Sequence, residues 1–469
     1  LSTVHNIPAA AASWLPQRPV KVQSKKKKDP LRFLKYGIWA YYFLLIFEGA
    51  LRKWFLPGLS APLLIVRDPI AITLLFMAMA KNVFPWNLYI IVMGGVTLLS
   101  MAMTKLLGHG NMFVAIFGAR LFIIHFPLLF VIGKVFNRKD VINLGIVTLC
   151  IVIPMTVLVA LQFYSPQTAW VNRGVGGDED GAGFTGALDY MRPPGTFSFT
   201  NGNTLFYGFA AAFVMYFWIS VKQINKYLLF LATAAVLLTV PLSISRALLA
   251  EILICMAFAF ATVVRRPKYA GRLLFAIIVI FMAFLILSQV SIFQKATEAL
   301  TTRFDDAETS EQATPFQAFI DRFTAGISHA IRHSDKIPFF GKGLGMGTNV
   351  GALLISGSVT FLISEGEWGR IIGETGFALG GVIILTRIIF VISTGLKGYQ
   401  YVARGNVLPW MLLSFGALNI MNGQWGQPTS LGFSTMIGGL ILAAFKMPEV
   451  ETTPPKTANR PSRKLPNTV

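Results

Sequence analysis

Charge is scarce in this chain. Only 13% of its 469 residues are Asp, Glu, Lys or Arg, where a soluble domain carries about 25%. Metal-holding groups are scarce too, with 2 cysteines and 5 histidines. Cys150 and Cys255 both sit in apolar blocks and read as small buried hydrophobes, which excludes a disulfide framework. No Cys/His cluster is present, so neither a structural metal nor a cofactor is expected. Residues 1–35 lack the apolar core of a signal peptide. They are rich in Ala, Pro and Lys and are expected to form a disordered basic cytoplasmic arm. The tail 447–469 reads the same way.

What the chain has is hydrophobic length. It is 54% hydrophobic, and about twelve stretches are long enough to cross a bilayer. They fall near 37–54, 61–80, 86–105, 113–133, 141–163, 203–221, 227–245, 247–264, 272–291, 368–393, 406–422 and 429–445. The runs are unbroken and do not alternate, so an all-α polytopic bundle is expected over 36–446, and a barrel is not. The net charge of +20 does not point to nucleic acid, because of where it lies. Lys25–Lys28, Lys134 with Arg138 and Lys139, Arg265–Arg272 and Lys446–Lys464 occupy alternate gaps. That is the positive-inside pattern, with anionic membrane lipid as the partner. It sets both termini in the cytoplasm and two polar loops, about 164–202 and 292–367, on the outer face. The larger lies between the ninth and tenth spans.

The first outer loop is acidic at Asp178, Glu179 and Asp180 and then reaches Arg192-Pro-Pro-Gly-Thr-Phe. In the second, 301–315 is polar and reads as flexible. Phe316, Phe319, Ile320, Phe323 and Ile327 share one helical face suited to a membrane surface. The turn Gly341-Lys-Gly-Leu-Gly-Met-Gly347 resembles a phosphate cradle only loosely, because the Walker ending is missing; a plain flexible turn is the expectation. The run 352–363 is short for a span and reads as re-entrant or packed under the loop.

Charges close to a membrane are costly, so they are either paired or functional. Arg192, Arg246 and Arg370 each lie at the outer boundary. Taken singly, each reads as a snorkelling or salt-bridged residue. Together they suit phosphate oxygens, which guanidinium binds bidentately. Glu367, Arg370 and Glu374 share one helical face and also fit an internal ion-pair ladder. Glu365 and Glu367, nearer the aqueous edge, are placed to act as a general base. His333 competes for that role, with His329 one turn earlier. Deeper in the spans, Glu48 with Arg52, Arg67 with Asp68, Arg120 with His125, and Glu251 read either as structural pairs or as an ion path.

Several of these segments, in this order, resemble the O-antigen ligase and polymerase family of bacterial envelope glycosyltransferases. The resemblance covers roughly residues 150–390. It rests on Arg192–Asn203, on Ser243-Ile-Ser-Arg-Ala-Leu248, on Ile337–Thr348 and on Glu374-Thr-Gly opening a membrane helix. It implies a GT-C-like inner-membrane fold and metal-independent, inverting transfer of a glycan from an undecaprenyl pyrophosphate donor at the periplasmic face. Arg192 and Arg246 would hold the pyrophosphate. The family's ligases place a His-Asn or similar pair where this chain has Glu365-Gly366. That departure favours a polymerase, which extends lipid-linked repeat units, over a ligase, which moves glycan to lipid A-core or another acceptor. A secondary transporter or lipid-linked sugar flippase is the alternative from another class, and a non-catalytic assembly protein is a third.

Overall fold

A computed structural model describes residues 29–181, 185–220, 223–311, 338–357 and 362–446. Among the described residues the regular elements are helices and one two-stranded hairpin, joined by turns and loops. In chain order the helices are α1 (Arg32–Ala50), α2 (Arg67–Ala80), α3 (Leu88–Leu106), α4 (Met112–Val135), α5 (Arg138–Tyr164), α6 (Thr200–Ile219), α7 (Lys226–Leu242), α8 (Arg246–Arg265), α9 (Ala270–Leu287), α10 (Ser291–Glu311), α11 (Asn349–Ser356), α12 (Glu367–Ala403), α13 (Leu408–Asn422) and α14 (Pro428–Ala444). Among the described residues, eight helices are long and apolar enough to cross a membrane. They include α3, α4, α5, α6, α8 and α12; α7 and α14 are apolar but shorter. The chain is a multi-pass membrane protein.

Polar caps set the helix starts. Asn87, Asn111, Asn225, Ser245 and Thr348 each accept a backbone N–H from the first turn that follows, and Asn137 forms a capping box with Asp140. Glycines allow the helices to approach closely. A Cβ on Gly439 of α14 would lie 2.5 Å from Ile132 Cβ of α4, and one on Gly145 of α5 would lie 2.3 Å from the Phe213 ring of α6. Small residues at crossings suit a membrane interior, where packing replaces the hydrophobic drive. The centre of the bundle is α6, where every residue except Asn201 is buried. On the periphery, α9 exposes Leu274, Phe275, Ile278, Phe281 and Ile286, a surface matched to lipid.

The helix ends sort into two poles. At one, Lys35 pairs with Asp140 at 3.0 Å, Arg272 donates to Ile219 O, Asn406 to Ala444 O and Lys446 to Lys134 O. Burial and the neighbouring Lys134 push the Lys446 ammonium down to about 8. This pole gathers the basic clusters. At the other, Arg52 donates to Ser198, Tyr164 to Ile292 O and Leu344 N to Thr104.

Several expectations need correction. Residues 292–311, read as loop and partly as a flexible segment, belong to α10. The first helix begins at Arg32, inside the expected arm; residues 1–28 and 447–469 lie outside the described residues. Cys255 is buried, but Cys150 is exposed on α5. The run 352–363 contributes to the short α11, which ends at a left-handed Gly357. The surface helix expected over 316–332 falls outside the described residues.

Candidate functional site at the loop-bearing pole

Arg192 follows a small hairpin. Strands β1 (Thr185–Ala187) and β2 (Tyr190–Met191) pair antiparallel, and the two residues between them, Leu188 and Asp189, both have positive φ, as a tight type I′ connection requires. Tyr190 stacks on Phe163 at the end of α5, with centroids 4.4 Å apart. The loop 192–199 is then held by buried donors. Lys53 Nζ donates to Gly195 O at 2.7 Å, Gln162 brackets the same peptide with bonds of 2.7 and 3.1 Å, and Thr196 Oγ1 donates to Ile46 O. Arg52 bonds Ser198 Oγ and Ser60 O.

Arg246 opens α8 directly after the turn Ser243-Ile-Ser245. Ile244 there is buried with φ of 46°, a left-handed conformation that costs a β-branched residue about 1–3 kcal/mol. The two arginine segments meet at Gly186. A Cβ on that glycine would lie 2.4 Å from Ile244 Cδ1 and 3.4 Å from Arg192 Cγ. Arg303 of α10 joins them, donating from Nη1 to Gly186 O at 3.0 Å. Residues 192, 246 and 303, far apart in sequence, therefore belong to neighbouring segments. Arg303 escaped the sequence reading because its stretch was taken as loop.

Arg370 has its own set of partners. Its Nε and Nη2 hold both oxygens of Glu367 at 3.0 and 2.9 Å, and its Nη1 holds Glu374 at 2.8 Å. Glu367 also accepts from Arg387 Nη1 at 2.7 Å and from Trp425 N at 3.1 Å. Arg387 lies 3.9 Å over the Trp425 ring and is fully buried. Two guanidiniums thus meet two carboxylates in a neutral knot. Arg370 has its charge already compensated, and Glu367 has four donors on its two oxygens. Glu365 is exposed, touching the bundle through its carbonyl, which accepts from Gln424 Nε2. His333 and His329 lie outside the described residues.

The glycine turn is not a loose connector. Gly341, Gly343 and Gly345 all have positive φ. Lys342 N and Gly343 N donate to Gly373 O and Glu374 O, and Gly347 N to Glu374 Oε1. The partner of the turn is a break in α12 at Gly376, where φ is 76° and a Cβ would lie 1.9 Å from Phe339 O. Between turn and knot lies a recess with a free volume of about 10 Å³, rimmed by Asn349, Ser364, Glu365, Gln424 and Gln427 above Arg370.

The deeper charges pair across helices. Glu48 binds Arg67 at 3.0 Å and lies 3.6 Å from Arg52; Asp68 binds Arg120 at 2.5 Å and His125 at 2.9 Å. The expected Arg67–Asp68 pair is thus replaced by partners from α1 and α4. Arg52 and His125 each lie in a π-helical turn, Leu51–Phe55 and Leu121–His125, which turns side chains that an α-helix would aim elsewhere. Glu251 of α8 packs its Oε2 against Gly208 of α6 and hydrogen-bonds through its carboxyl to Asn419.

The fold therefore defines a multi-pass membrane protein with a polar, charge-rich pole built from its long loops. No protein-family model, no curated protein and no solved structure matches this chain.

Proposed function

We propose that this chain is a bacterial inner-membrane glycosyltransferase of twelve crossing helices, with α1, α7, α13 and α14 added to the eight that meet the length and apolarity test. Its loop-bearing pole faces the periplasm and its basic pole the cytoplasm. The substrate is a glycan on undecaprenyl pyrophosphate, and the reaction extends a lipid-linked repeat unit. The observation that carries this reading is the junction at Gly186, where the segments bearing Arg192, Arg246 and Arg303 meet at that pole. Phosphate oxygens at the membrane surface are the anion such a junction suits.

In the reaction the acceptor hydroxyl oxygen attacks the anomeric carbon from the face opposite the pyrophosphate. The bond from that carbon to the phosphate oxygen breaks, and the pyrophosphate leaves with the electron pair and inverts the centre. Arg192 and Arg246 stabilise the departing charge. Glu365, the exposed carboxylate, takes the hydroxyl proton. Glu367 does not share that role in this reading, because its lone pairs are engaged by Arg370, Arg387 and Trp425.

The test is transfer by the purified chain from a defined undecaprenyl pyrophosphate-linked oligosaccharide. Arg192→Ala and Arg246→Ala each remove charge-assisted bonds, at a cost of about 10- to 150-fold in kcat/KM, with Arg→Lys milder. Wild-type rates in both alanine variants would sink the assignment. Elongated lipid-linked product marks a polymerase, and product on lipid A-core marks a ligase. The break at Gly376 and the buried Glu251 also suit a secondary transporter. Substrate uptake into proteoliposomes without any transfer would favour that second reading.

A further inference from the structure

The recess beside Glu365 differs in chemistry from the arginine junction. Its floor is Arg370, whose charge is compensated by Glu367 and Glu374. With Arg387 included the floor is neutral, and Glu365 on the rim leaves the recess net negative. The remaining rim groups are uncharged: two glutamine amides, one asparagine amide and one serine hydroxyl. Among the described residues, an anion entering here meets the Glu365 carboxylate and no cation beyond those of the neutral knot, so pyrophosphate is disfavoured. A neutral polyhydroxyl ligand meets amide and hydroxyl partners that both donate and accept.

Size narrows the ligand further. A free volume of about 10 Å³ accommodates one water or one hydroxyl group. Glycines fix that size from below. A Cβ on Gly347 would fall 2.5 Å from Arg370 Cγ, and one on Gly426 would fall 3.2 Å from Arg370 Cδ. A recess of that size takes one hydroxyl group, which leaves the ring of a sugar outside it, at the level of the rim amides.

We infer that this recess is a carbohydrate subsite. It receives the acceptor sugar and not the donor pyrophosphate, and Asn349 and Gln427 select the sugar by hydrogen bonding its hydroxyls. The identity of the sugar as acceptor rests on the transferase reading; the binding of a sugar at this place does not. Gln424 serves differently, since its amide is bonded to Glu365 O at 2.9 Å and so positions the carboxylate-bearing segment.

The experiment uses the full chain in lipid nanodiscs and a panel of methyl glycosides, namely methyl glucoside, galactoside and mannoside. Saturation-transfer NMR reads binding without requiring turnover. Wild type should saturate at least one glycoside. Asn349→Ala and Gln427→Ala should each weaken that binding by about tenfold, the value of one neutral hydrogen bond, and Arg192→Ala should leave it intact. Inorganic pyrophosphate should not displace the glycoside. Absence of saturation with every glycoside, equal binding in both rim variants, or displacement by pyrophosphate would overturn the subsite. Because this assay is independent of transfer, a sugar-binding chain that transfers nothing would retire the enzyme reading and keep the subsite. A transferring chain whose rim variants bind normally would do the reverse.

Discussion

Replacing Glu367 with glutamine and comparing the result with Glu365→Gln separates a structural carboxylate from a chemical one. Glu367 is 2% exposed and accepts four hydrogen bonds, from Arg370 Nε and Nη2, Arg387 Nη1 and Trp425 N. A glutamine amide nitrogen cannot accept, so at least one oxygen's worth of these contacts becomes a donor facing a donor. Arg370 and Arg387 are then left with Glu374 as the only carboxylate of the knot. Breaking a buried ion pair by removing one partner costs about 3–5 kcal/mol, a large share of the roughly 5–15 kcal/mol that holds a domain folded. Glu365 is exposed, and substitutions at such positions stay within about 0.5 kcal/mol. The expected outcome is that Glu367→Gln melts well below wild type or fails to accumulate. Glu365→Gln should melt like wild type and lose transfer. Thermal unfolding in detergent, followed by tryptophan emission, reads the first half, and the transfer assay reads the second. Adding Arg387→Met to Glu367→Gln should recover part of the loss, because the surplus cation leaves with its partner. Wild-type melting of Glu367→Gln together with lost transfer would refute the reasoning and return the proton-accepting role to Glu367.

Further outcomes follow from the same geometry. Gly376→Ala forces a positive φ on a residue with a Cβ and drives that atom to 1.9 Å from Phe339 O; it should lower the melting temperature and detach the glycine turn, seen as faster proteolysis near residue 340. Gly208→Ala meets Glu251 Oε2 at 1.8 Å and should destabilise in wild type yet be partly rescued by Glu251→Ala, which removes the clash. Cysteines introduced at Glu179 and at Lys268 should differ in intact cells: an impermeant maleimide should label position 179 only, and labelling at 268 would reverse the orientation. Lys53→Met removes the 2.7 Å bond to Gly195 O and should loosen the 192–199 loop, lowering transfer more than it lowers melting.

The helices were legible because both their signals are local. Apolar runs located the helices to within several residues, save that α12 runs on to Ala403 past the expected 393, and Asn87, Asn111, Asn137, Asn225 and Ser245 stand where caps belong. The fate of the charges was not legible. Glu367 and Arg370 share a helix face and their pairing could be read from spacing alone. What seals Glu367 is Arg387, five turns further along α12, and the backbone of Trp425, 58 residues away. No local pattern reports a contact of that range. The π-helical turn at Leu51–Phe55 likewise displaces Arg52 and Lys53 from the faces an α-helical wheel assigns them. The glycine turn was misread for a related reason. Glycine spacing signals positive φ, which Gly341, Gly343 and Gly345 adopt, but it does not distinguish a mobile turn from one whose backbone is docked against another backbone.

Two groups of arginines hold this fold together in different ways. Arg52, Arg67, Arg120, Arg370 and Arg387 each lie within ion-pair reach of Glu48, Asp68, Glu367 or Glu374. Their desolvation is offset inside the fold, and they tie helices together. The segments of Arg192, Arg246 and Arg303 meet at one small glycine, Gly186: a hairpin with two consecutive positive φ values, a left-handed β-branched residue and α10 converge there. Ile244 is the informative member. A turn that merely joined α7 to α8 would be more stable with glycine or asparagine at a φ of 46°. Isoleucine there accepts local strain and in return fills the contact with Gly186 that holds the Arg192 hairpin beside Arg246. Ile244→Gly should relieve the backbone and empty that contact at once. A loss of transfer larger than any loss of stability would mean that the strain serves the arginine junction; a fall in stability alone, with transfer unchanged per folded molecule, would mean that the turn is only packing.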